Sequence, residues 1–439
     1  MRVDYNIDGY KFLTDNTLEV ESRTLFLLTE QNRRYFNKLE TKPEYITPKE
    51  LISKWGIDKI EVVGVTGTNG KTTVTAGIYS FLLDLGEGVG LQGTRGFFVN
   101  GERIEGKVMT TPSILETLNH IRIAKAKGAK YFIMEVSSHA IDQNRVEGIN
   151  FALKVHTNIT SDHLDYHKTV EEYRAVKSRF FADNSPKLLN KDDIKNITYN
   201  PKNAYSYGVD EPSTFKVQAF SLRDGIVANI RYLIQEATFS SPMVGLFNLY
   251  NLMASIGAVV LLTKRELQEV CDVVSNFAGV AGRMEVVSQD PLVIVDFAHT
   301  HDGMAKVLDS MRDKNIILVF GAGGNRDRDK RPKMGAVASI FAKKIFVTSD
   351  NPRDEEPEAI IKDILSGIKD KKNTRAMVDR AYAIYEALKE VKDRDDVLMI
   401  LGKGDEDYME IKGKKVPFDD REVVKLLLEK LEEEKRAKV

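Results

Sequence analysis

The stretch EVVGVTGTNGKTTVTAGIYSFLL, residues 61–83, constrains the fold more than any other part of this chain. It reads as an apolar, β-branched strand, a glycine loop, and a helix whose Val74, Ile78, Phe81 and Leu82 recur at helical spacing. A strand that enters a helix through such a loop opens a parallel α/β layer. In that order the backbone N–H groups of Gly67, Thr68, Asn69 and Gly70 can surround phosphate oxygens at the positive end of the helix. Lys71 would neutralise the β and γ charges, Thr72 would reach magnesium, and Thr73 completes the run. The standard pattern G-x-x-x-x-G-K-S/T asks for glycine at position 65, where this chain has Val65. The competing reading is a strand-to-helix turn that happens to hold a lysine. Gly67 and Gly70 ahead of Lys71-Thr72-Thr73, between a strand and a helix, favour nucleotide binding and leave the reaction open.

The same alternation recurs along the chain. YFIMEV and KVHTNI follow the first strand, and after the FAGVAGR stretch it restarts with LVIVDF, NIILVFG, KIFVTSD and DDVLMILG. At 439 residues the chain exceeds what one core organises. The expectation is an α/β protein of three domains. A small N-terminal domain spans 1–50 and ends in the breaker-rich TKPEYITPKE. A central domain, 51–282, has a mainly parallel sheet, with antiparallel strands appended from the alternating text of 186–240. A Rossmann-like α/β domain spans 283–439. Apolar residues at 42% and charged residues at 29% exclude wholesale disorder. Lys and Arg number 64 against 65 Asp and Glu, which gives no global reason to expect nucleic acid or an anionic membrane as partner. No run approaches the ~20 apolar residues that would span a bilayer. The single cysteine, Cys271, lies in the apolar VCDVV and reads as a core residue. A soluble, cytoplasmic, monomeric chain is expected.

Two further clusters carry charge where chemistry could use it. Glu135 stands near the carboxyl end of the apolar strand in YFIMEVSSHAIDQNRV, where open α/β sheets present ligands, and could hold Mg²⁺ bound to ATP. HTNITSDHLDYH adds Asp162, His163, Asp165 and His167, each of which taken singly is as well explained by a polar loop. The helical stretch 171–182 aligns Tyr173, Lys177, Phe180 and Phe181 on one face, so Lys177 lies on an apolar stripe. Burial there would favour a neutral amine able to add carbon dioxide and become a carbamate ligand for metal. Spacing alone favours the plainer alternative, a lysine whose stem covers the core while its ammonium reaches water.

Together GTNGKTT, TTP, MEVSSHAIDQNRV, TNITSDHLDYH, Lys177, GLFNLYN, GRME, DFAHT, GAGGNRD, DNPR and GKGDEDY resemble the Mur ligase family, in this order over nearly everything after Ile60. The resemblance implies an ATP- and Mg²⁺-dependent amide ligase that extends UDP-N-acetylmuramoyl-L-alanyl-D-glutamate through an acyl phosphate. Its partners would be that muramoyl dipeptide and meso-diaminopimelate. By the resemblance, Lys71 and Thr72 serve phosphate and magnesium, Glu135 and His163 are metal ligands, and Lys177 is the carbamylated lysine. Asn248, Arg283, Asp296 and His299 surround the nucleotide. Thr110, Thr111, Ser137, Gln143 and Arg145 hold the muramoyl peptide. Arg326, Asp350, Asn351, Arg353, Gly402 and Glu406 form the acceptor pocket. Relatives that take meso-diaminopimelate carry Asn-Pro-Arg, which lysine-adding relatives usually lack, so Arg353 would read the extra carboxylate and Glu406 the distal ammonium.

The chain departs from the family at several positions. Its N-terminal domain is about half the expected length, with Asp15-Asn16-Thr17 and Glu21-Ser22-Arg23 competing for the uridine site. Asp405 stands where histidine is usual, His301 where proline is, Lys168 for glycine and Asn325 for an acid. Rival readings are a relative that adds lysine or extends folate, and a P-loop nucleotide-binding regulatory module without ligase activity.

Overall fold

The computed structural model describes residues 1–106, 109–160, 164–223, 225–369 and 371–436. The chain forms two compact units, Met1–Pro242 with Phe247–Phe277, and Met243–Leu246 with Ala278–Val439.

In the first unit a small sheet of strands Arg2–Asp4, Phe12–Thr14, Thr24–Leu27 and Tyr45–Ile46 precedes a sheet of eleven strands. The two are not separately cored: Leu13, Leu25, Leu27 and Ile46 share one apolar cluster with Val62, Phe97, Leu115 and Phe132. In the large sheet the glycine-loop strand Glu61–Thr66 lies between Phe151–His156 and Tyr131–Glu135, all parallel. Val89–Gly93 continues the parallel part on one side, and Lys187–Asn190 and Ala204–Gly208 continue it on the other. Successive chain segments thus join Glu61–Thr66 on both flanks, which opens a crevice at the carboxyl ends of these strands. Strands Val62 to Val65 and Tyr131 to Met134 are apolar throughout because helices cover both faces.

The alternating text of 186–240 holds appended antiparallel strands, as the sequence indicated, in its later part. Among the described residues of 186–240, Phe215–Ser221, Ile226–Tyr232 and Gln235–Ser241 pair antiparallel with one another, and Phe215–Ser221 joins them to the large sheet by pairing parallel with Ala204–Gly208. The short strands before them are too brief for alternation to reveal whether one or both faces are covered. A second antiparallel edge, Gly96–Val99 with Glu102–Glu105, was not expected.

Val74, Ile78, Phe81 and Leu82 are all fully buried on the helix Lys71–Asp84, as their spacing indicated. The helix Leu246–Thr263 is long and apolar enough to cross a bilayer, which the sequence reading overlooked. It is a core helix, 72% buried against the protein itself. Cys271 is buried, and burial pushes its thiol up to about 12, so it packs rather than reacts.

The second unit is a six-stranded sheet. Leu292–Asp296, Asp396–Leu401, Asn315–Phe320, Ala342–Val347 and Thr374–Ala376 are parallel, and Glu285–Gln289 forms an antiparallel edge. Val293, Val295, Ile317, Val319, Leu398 and Ile400 build one side of its core. A separate hairpin, Tyr408–Ile411 with Lys414–Pro417, follows the last parallel strand. The tail is the helix Asp420–Arg436.

Candidate active site

The glycine loop closes on a neighbouring strand end. Thr68 N donates to Asn158 O at 2.6 Å, Asn69 N to Asn158 Oδ1 at 3.1 Å, and Thr157 Oγ1 to Asn69 O at 2.6 Å. That closeness explains the glycines. Gly67 has φ +155° and a Cβ there would lie 1.9 Å from Thr157 Oγ1; Gly70 has φ +85° and a Cβ would lie 2.4 Å from Asn251 Oδ1. Asn251 Nδ2 in turn donates to Asn248 Oδ1 at 3.0 Å, so the buried Asn248 supports the loop from the helix Leu246–Thr263. Thr73 is buried just behind it.

Two lysines meet on this loop. Lys71 Nζ donates to Gly67 O at 2.8 Å and to Thr68 O at 2.9 Å, and Lys177 Nζ donates to the same Gly67 O at 2.9 Å and to Thr66 Oγ1 at 3.3 Å. Lys177, on the helix Val170–Arg179, is 1% exposed. The expectation that its ammonium reaches water is therefore wrong: a carbonyl supplied by the distant loop takes the head group into the interior, which helical spacing cannot reveal. Tyr173, one turn earlier, is buried with its hydroxyl 3.1 Å from Thr68 Oγ1. Two nitrogens that are cationic when protonated, sharing one carbonyl oxygen, make this corner receptive to an anion.

Glu135 ends its strand and is 1% exposed. Thr72 Oγ1 donates to its Oε2 at 3.1 Å, Thr94 N to its Oε1 at 2.9 Å, and Thr94 Oγ1 to Oε2 at 3.3 Å. A hydroxyl and a carboxylate this close are hard oxygen donors that suit Mg²⁺. Thr94 was missed; it follows Gly93 at the carboxyl end of the parallel strand Val89–Gly93. His163 and Asp162 lie outside the described residues, as does the side chain of Asp165. His167 is buried with Nε2 2.9 Å from Ser138 Oγ.

The threonines of TTP pack against the same strand end. Thr111 Oγ1 donates to Glu135 O at 2.9 Å and accepts from Ser137 N at 3.0 Å, and Thr94 Oγ1 is 3.1 Å from Thr110 Oγ1. Arg145 Nη1 donates to Thr111 O at 2.8 Å, while its Nε and Nη2 hold Gln143 Oε1 at 3.0 and 2.6 Å. Lys71, Thr110, Thr111, Ser137, Arg145 and Lys177 line one cavity of about 450 Å³, together with Tyr173 and with Met109, Ser138 and His139, the last three not singled out from sequence.

The second unit holds the remaining candidates. Asp296 ends its strand and accepts from Met284 N at 2.8 Å and Ala298 N at 2.7 Å; burial pushes its carboxyl up, against the pull of Arg283. The Arg283 guanidinium lies 4.6 Å from the Phe297 ring centre, and His299 Nδ1 is 3.0 Å from Phe297 O. Gly402 N donates to Asp296 O at 3.0 Å. Asp350 and Asn351 are buried at the end of Ala342–Val347. Asn351 joins two acids: its Nδ2 donates to Glu406 Oε2 at 2.8 Å, and its Oδ1 accepts from Glu410 N at 2.8 Å. Arg353 Nε donates to Glu410 Oε2 at 3.0 Å and Nη1 to Gly324 O at 2.8 Å, which fixes the guanidinium plane. Arg326 is exposed on the neighbouring loop. Sequence reading missed Glu410, the buried Lys403 beside Glu406 (3.2 Å), and the buried Arg380–Asp420 pair at 2.7 Å. Arg380 also donates to Leu401 O and Ser349 O, tying together the two strand ends that carry Gly402 and Asp350.

Comparison with known proteins fits this arrangement. Residues 65–259 match the Mur ligase middle domain, and residues 282–404 the Mur ligase glutamate ligase domain. A UDP-N-acetylmuramoyl-L-alanyl-D-glutamate--2,6-diaminopimelate ligase of Wolinella succinogenes is 51% identical over 426 residues, covering 97% of this chain and 98% of the relative. The ligase of the same name from Helicobacter hepaticus is 46% identical over 452 residues, covering 96% and 97%. A solved structure of a ligase with that name superposes with TM-score 0.69 at 28% identity, covering 96% of this chain and 95% of the other. A Mycobacterium tuberculosis folylpolyglutamate synthase complexed with ADP and AMPPCP shares the fold, with TM-score 0.61 at 16% identity, covering 80% and 91%.

Proposed function

This chain belongs to the Mur ligase family, and from that premise we propose that it joins meso-diaminopimelate to the D-glutamate of UDP-N-acetylmuramoyl-L-alanyl-D-glutamate at the expense of ATP. It is an ATP-dependent carbon–nitrogen ligase of peptidoglycan precursor synthesis. The observation that carries the substrate assignment is the 51% identity to a ligase of that name over 97% of this chain and 98% of the relative. A cytoplasmic location follows from this reading, since the reaction consumes ATP and a nucleotide-linked precursor. We read residues 1–50 as the domain for the uridine end, 51–282 as the ATPase domain and 283–439 as the acceptor domain.

The reaction needs two steps, because a free carboxylate is a poor electrophile. The D-glutamate carboxylate oxygen attacks the γ-phosphorus, the bond to the β-bridging oxygen breaks, and ADP leaves. The amine of diaminopimelate then adds to the acyl carbon, phosphate departs from the tetrahedral intermediate, and the nitrogen loses its proton. Two anions must meet first. Loop N–H groups of residues 67–70 hold the phosphates, and Lys71 moves from the loop carbonyls to the transferring group. Arg145, braced by Gln143 and Thr111, sits on the cavity wall with Thr110 and Ser137, where it can orient the muramoyl peptide. Thr72 and Glu135, with the family's assignments of His163 and carbamylated Lys177, would hold Mg²⁺, which when bound supplies neutralising charge in the phosphoryl-transfer step.

The test is direct. Incubating the protein with ATP, magnesium, the UDP-muramoyl dipeptide and either diaminopimelate or L-lysine should give a product heavier by one diaminopimelate residue, with phosphate release depending on that amino acid. Equal or greater release with lysine would move the assignment to the lysine-adding branch. ATP turnover with neither product would favour the regulatory module.

Thr94 makes a second, smaller prediction. It gives Glu135 two of its hydrogen bonds, so Thr94→Val keeps the backbone donor and removes the hydroxyl. Loosening a carboxylate in this way should lower kcat about tenfold and raise the magnesium requirement, as measured by phosphate release across a magnesium titration. Unchanged magnesium dependence would make Thr94 a bystander.

A further inference from the structure

A second cluster lies at the Glu102–Glu105 edge of the large sheet, four strands from the glycine-loop strand. The helix Ile114–Ala126 carries Glu116 and His120 one turn apart, and Glu105 ends the edge strand Glu102–Glu105. A nitrogen of His120 and one carboxylate oxygen from each glutamate all lie within 4.8 Å of one another. The spacing i, i+4 puts both helix residues on one face.

The state of His120 is what sets this cluster apart from ordinary surface acids. The ring is fully buried, stacked on Phe97 with centroids 4.2 Å apart and planes 11° from parallel. Gln92 Nε2 donates to Thr117 Oγ1 at 3.2 Å, which turns Gln92 Oε1 toward His120 Nδ1 at 2.7 Å. Nδ1 therefore carries the proton, and in the neutral ring Nε2 is a lone pair. That buried Nε2 makes no hydrogen bond, yet Glu105 Oε2 faces it at 3.3 Å. Two acceptors face each other and need a cation or a proton between them.

We propose that Glu105, Glu116 and His120 form a site for a zinc-class divalent cation, with the fourth position open to water. The donor set is right for Zn²⁺, one imidazole nitrogen with carboxylate oxygens. Bonds of about 2.0–2.1 Å in a tetrahedron put neighbouring ligand atoms about 3.3–3.4 Å apart, which is the observed separation of His120 Nε2 and Glu105 Oε2. The Nδ1 bond to Gln92 is the outer support that orients a metal-ligating histidine. The ion would clamp the edge hairpin to the helix, and in the chain the ligands Glu105 and Glu116 flank Thr110 and Thr111. The site is independent of the ligase reading.

The experiment uses the full chain, stripped with chelator, desalted and titrated with ZnCl₂ alone by calorimetry, with Co²⁺ as an optical probe. Wild type should bind one more equivalent of zinc than Glu105→Gln/Glu116→Gln, show visible absorption of tetrahedral Co²⁺ that the variant lacks, and gain in Tm with zinc where the variant does not. Both replaced side chains lie at or near the surface, so the variant should match wild type in Tm without metal; Glu105→Gln alone, at the more exposed position, repeats the test if it does not. Identical zinc titrations for wild type and both variants would overturn the site. So would ¹⁵N shifts showing His120 as an imidazolium that added zinc leaves unchanged.

Discussion

Replacing Lys177 with methionine should reduce amide formation by about 10³-fold or more while leaving the protein folded and able to bind ATP. The argument starts from the carbonyl of Gly67, which accepts from both Lys71 and Lys177. A buried carbonyl stripped of its last donor costs about 1–3 kcal/mol, but in the nucleotide-free protein Lys71 remains, so the loop folds without Lys177. Methionine keeps the length and apolar stem of lysine and fills the space beside Tyr173. What disappears is the nitrogen. If that nitrogen, as a carbamate, provides negative charge for magnesium, kcat falls and the Michaelis constant for ATP moves only a few fold. If it is a strut for the glycine loop, the Michaelis constant for ATP rises and kcat survives. Phosphate release at varied ATP separates the two, and a ¹³C resonance from labelled bicarbonate, present in wild type and missing in Lys177→Met, would report the carbamate itself.

The same residue shows how far the chain can be read without its structure. The central strands, the glycine loop and its helix were legible because local pattern determines them: β-branched runs, two glycines and apolar residues at helical spacing. Glu135 was legible for the same reason, since a charge ending an apolar strand needs a purpose. Lys177 was not, because its burial depends on a carbonyl 110 residues away in the chain. Thr94 hides similarly: nothing about a threonine after a strand says that a carboxylate from another strand will sit on its N–H. In the second unit DNPR pointed to Arg353, but Glu410, which fixes its guanidinium, comes from a hairpin folding back over it. Lys187–Asn190 and Ala204–Gly208 were not identified as strands of the parallel part, because four- and five-residue strands carry too little alternation to distinguish a buried parallel strand from a half-exposed one.

Arg353→Ala should raise the Michaelis constant for diaminopimelate by about 30-fold or more, and that for ATP by no more than a few fold. Arg353 already bonds Glu410 through Nε and Gly324 O through Nη1, so the guanidinium is fixed before any ligand arrives and little entropy is lost when a carboxylate pairs with it. Losing one partner of a charged, hydrogen-bonded pair costs about 2–5 kcal/mol, which corresponds to roughly 30-fold to several thousand-fold in affinity. Two variants separate recognition from support. Glu410→Gln keeps a hydrogen-bond acceptor for Arg353 but removes the charge, so it should weaken diaminopimelate far less than Arg353→Ala does. Arg353→Lys keeps the charge but not the planar fork, and should recover only a small part of the loss. Arg353 also has φ +52°, a conformation that alanine tolerates no better than arginine, so the backbone contributes little to the difference between them. Michaelis constants measured separately for ATP, the muramoyl dipeptide and diaminopimelate decide the role: a rise shared equally among all three would mean that Arg353 holds the loop together and reads no carboxylate.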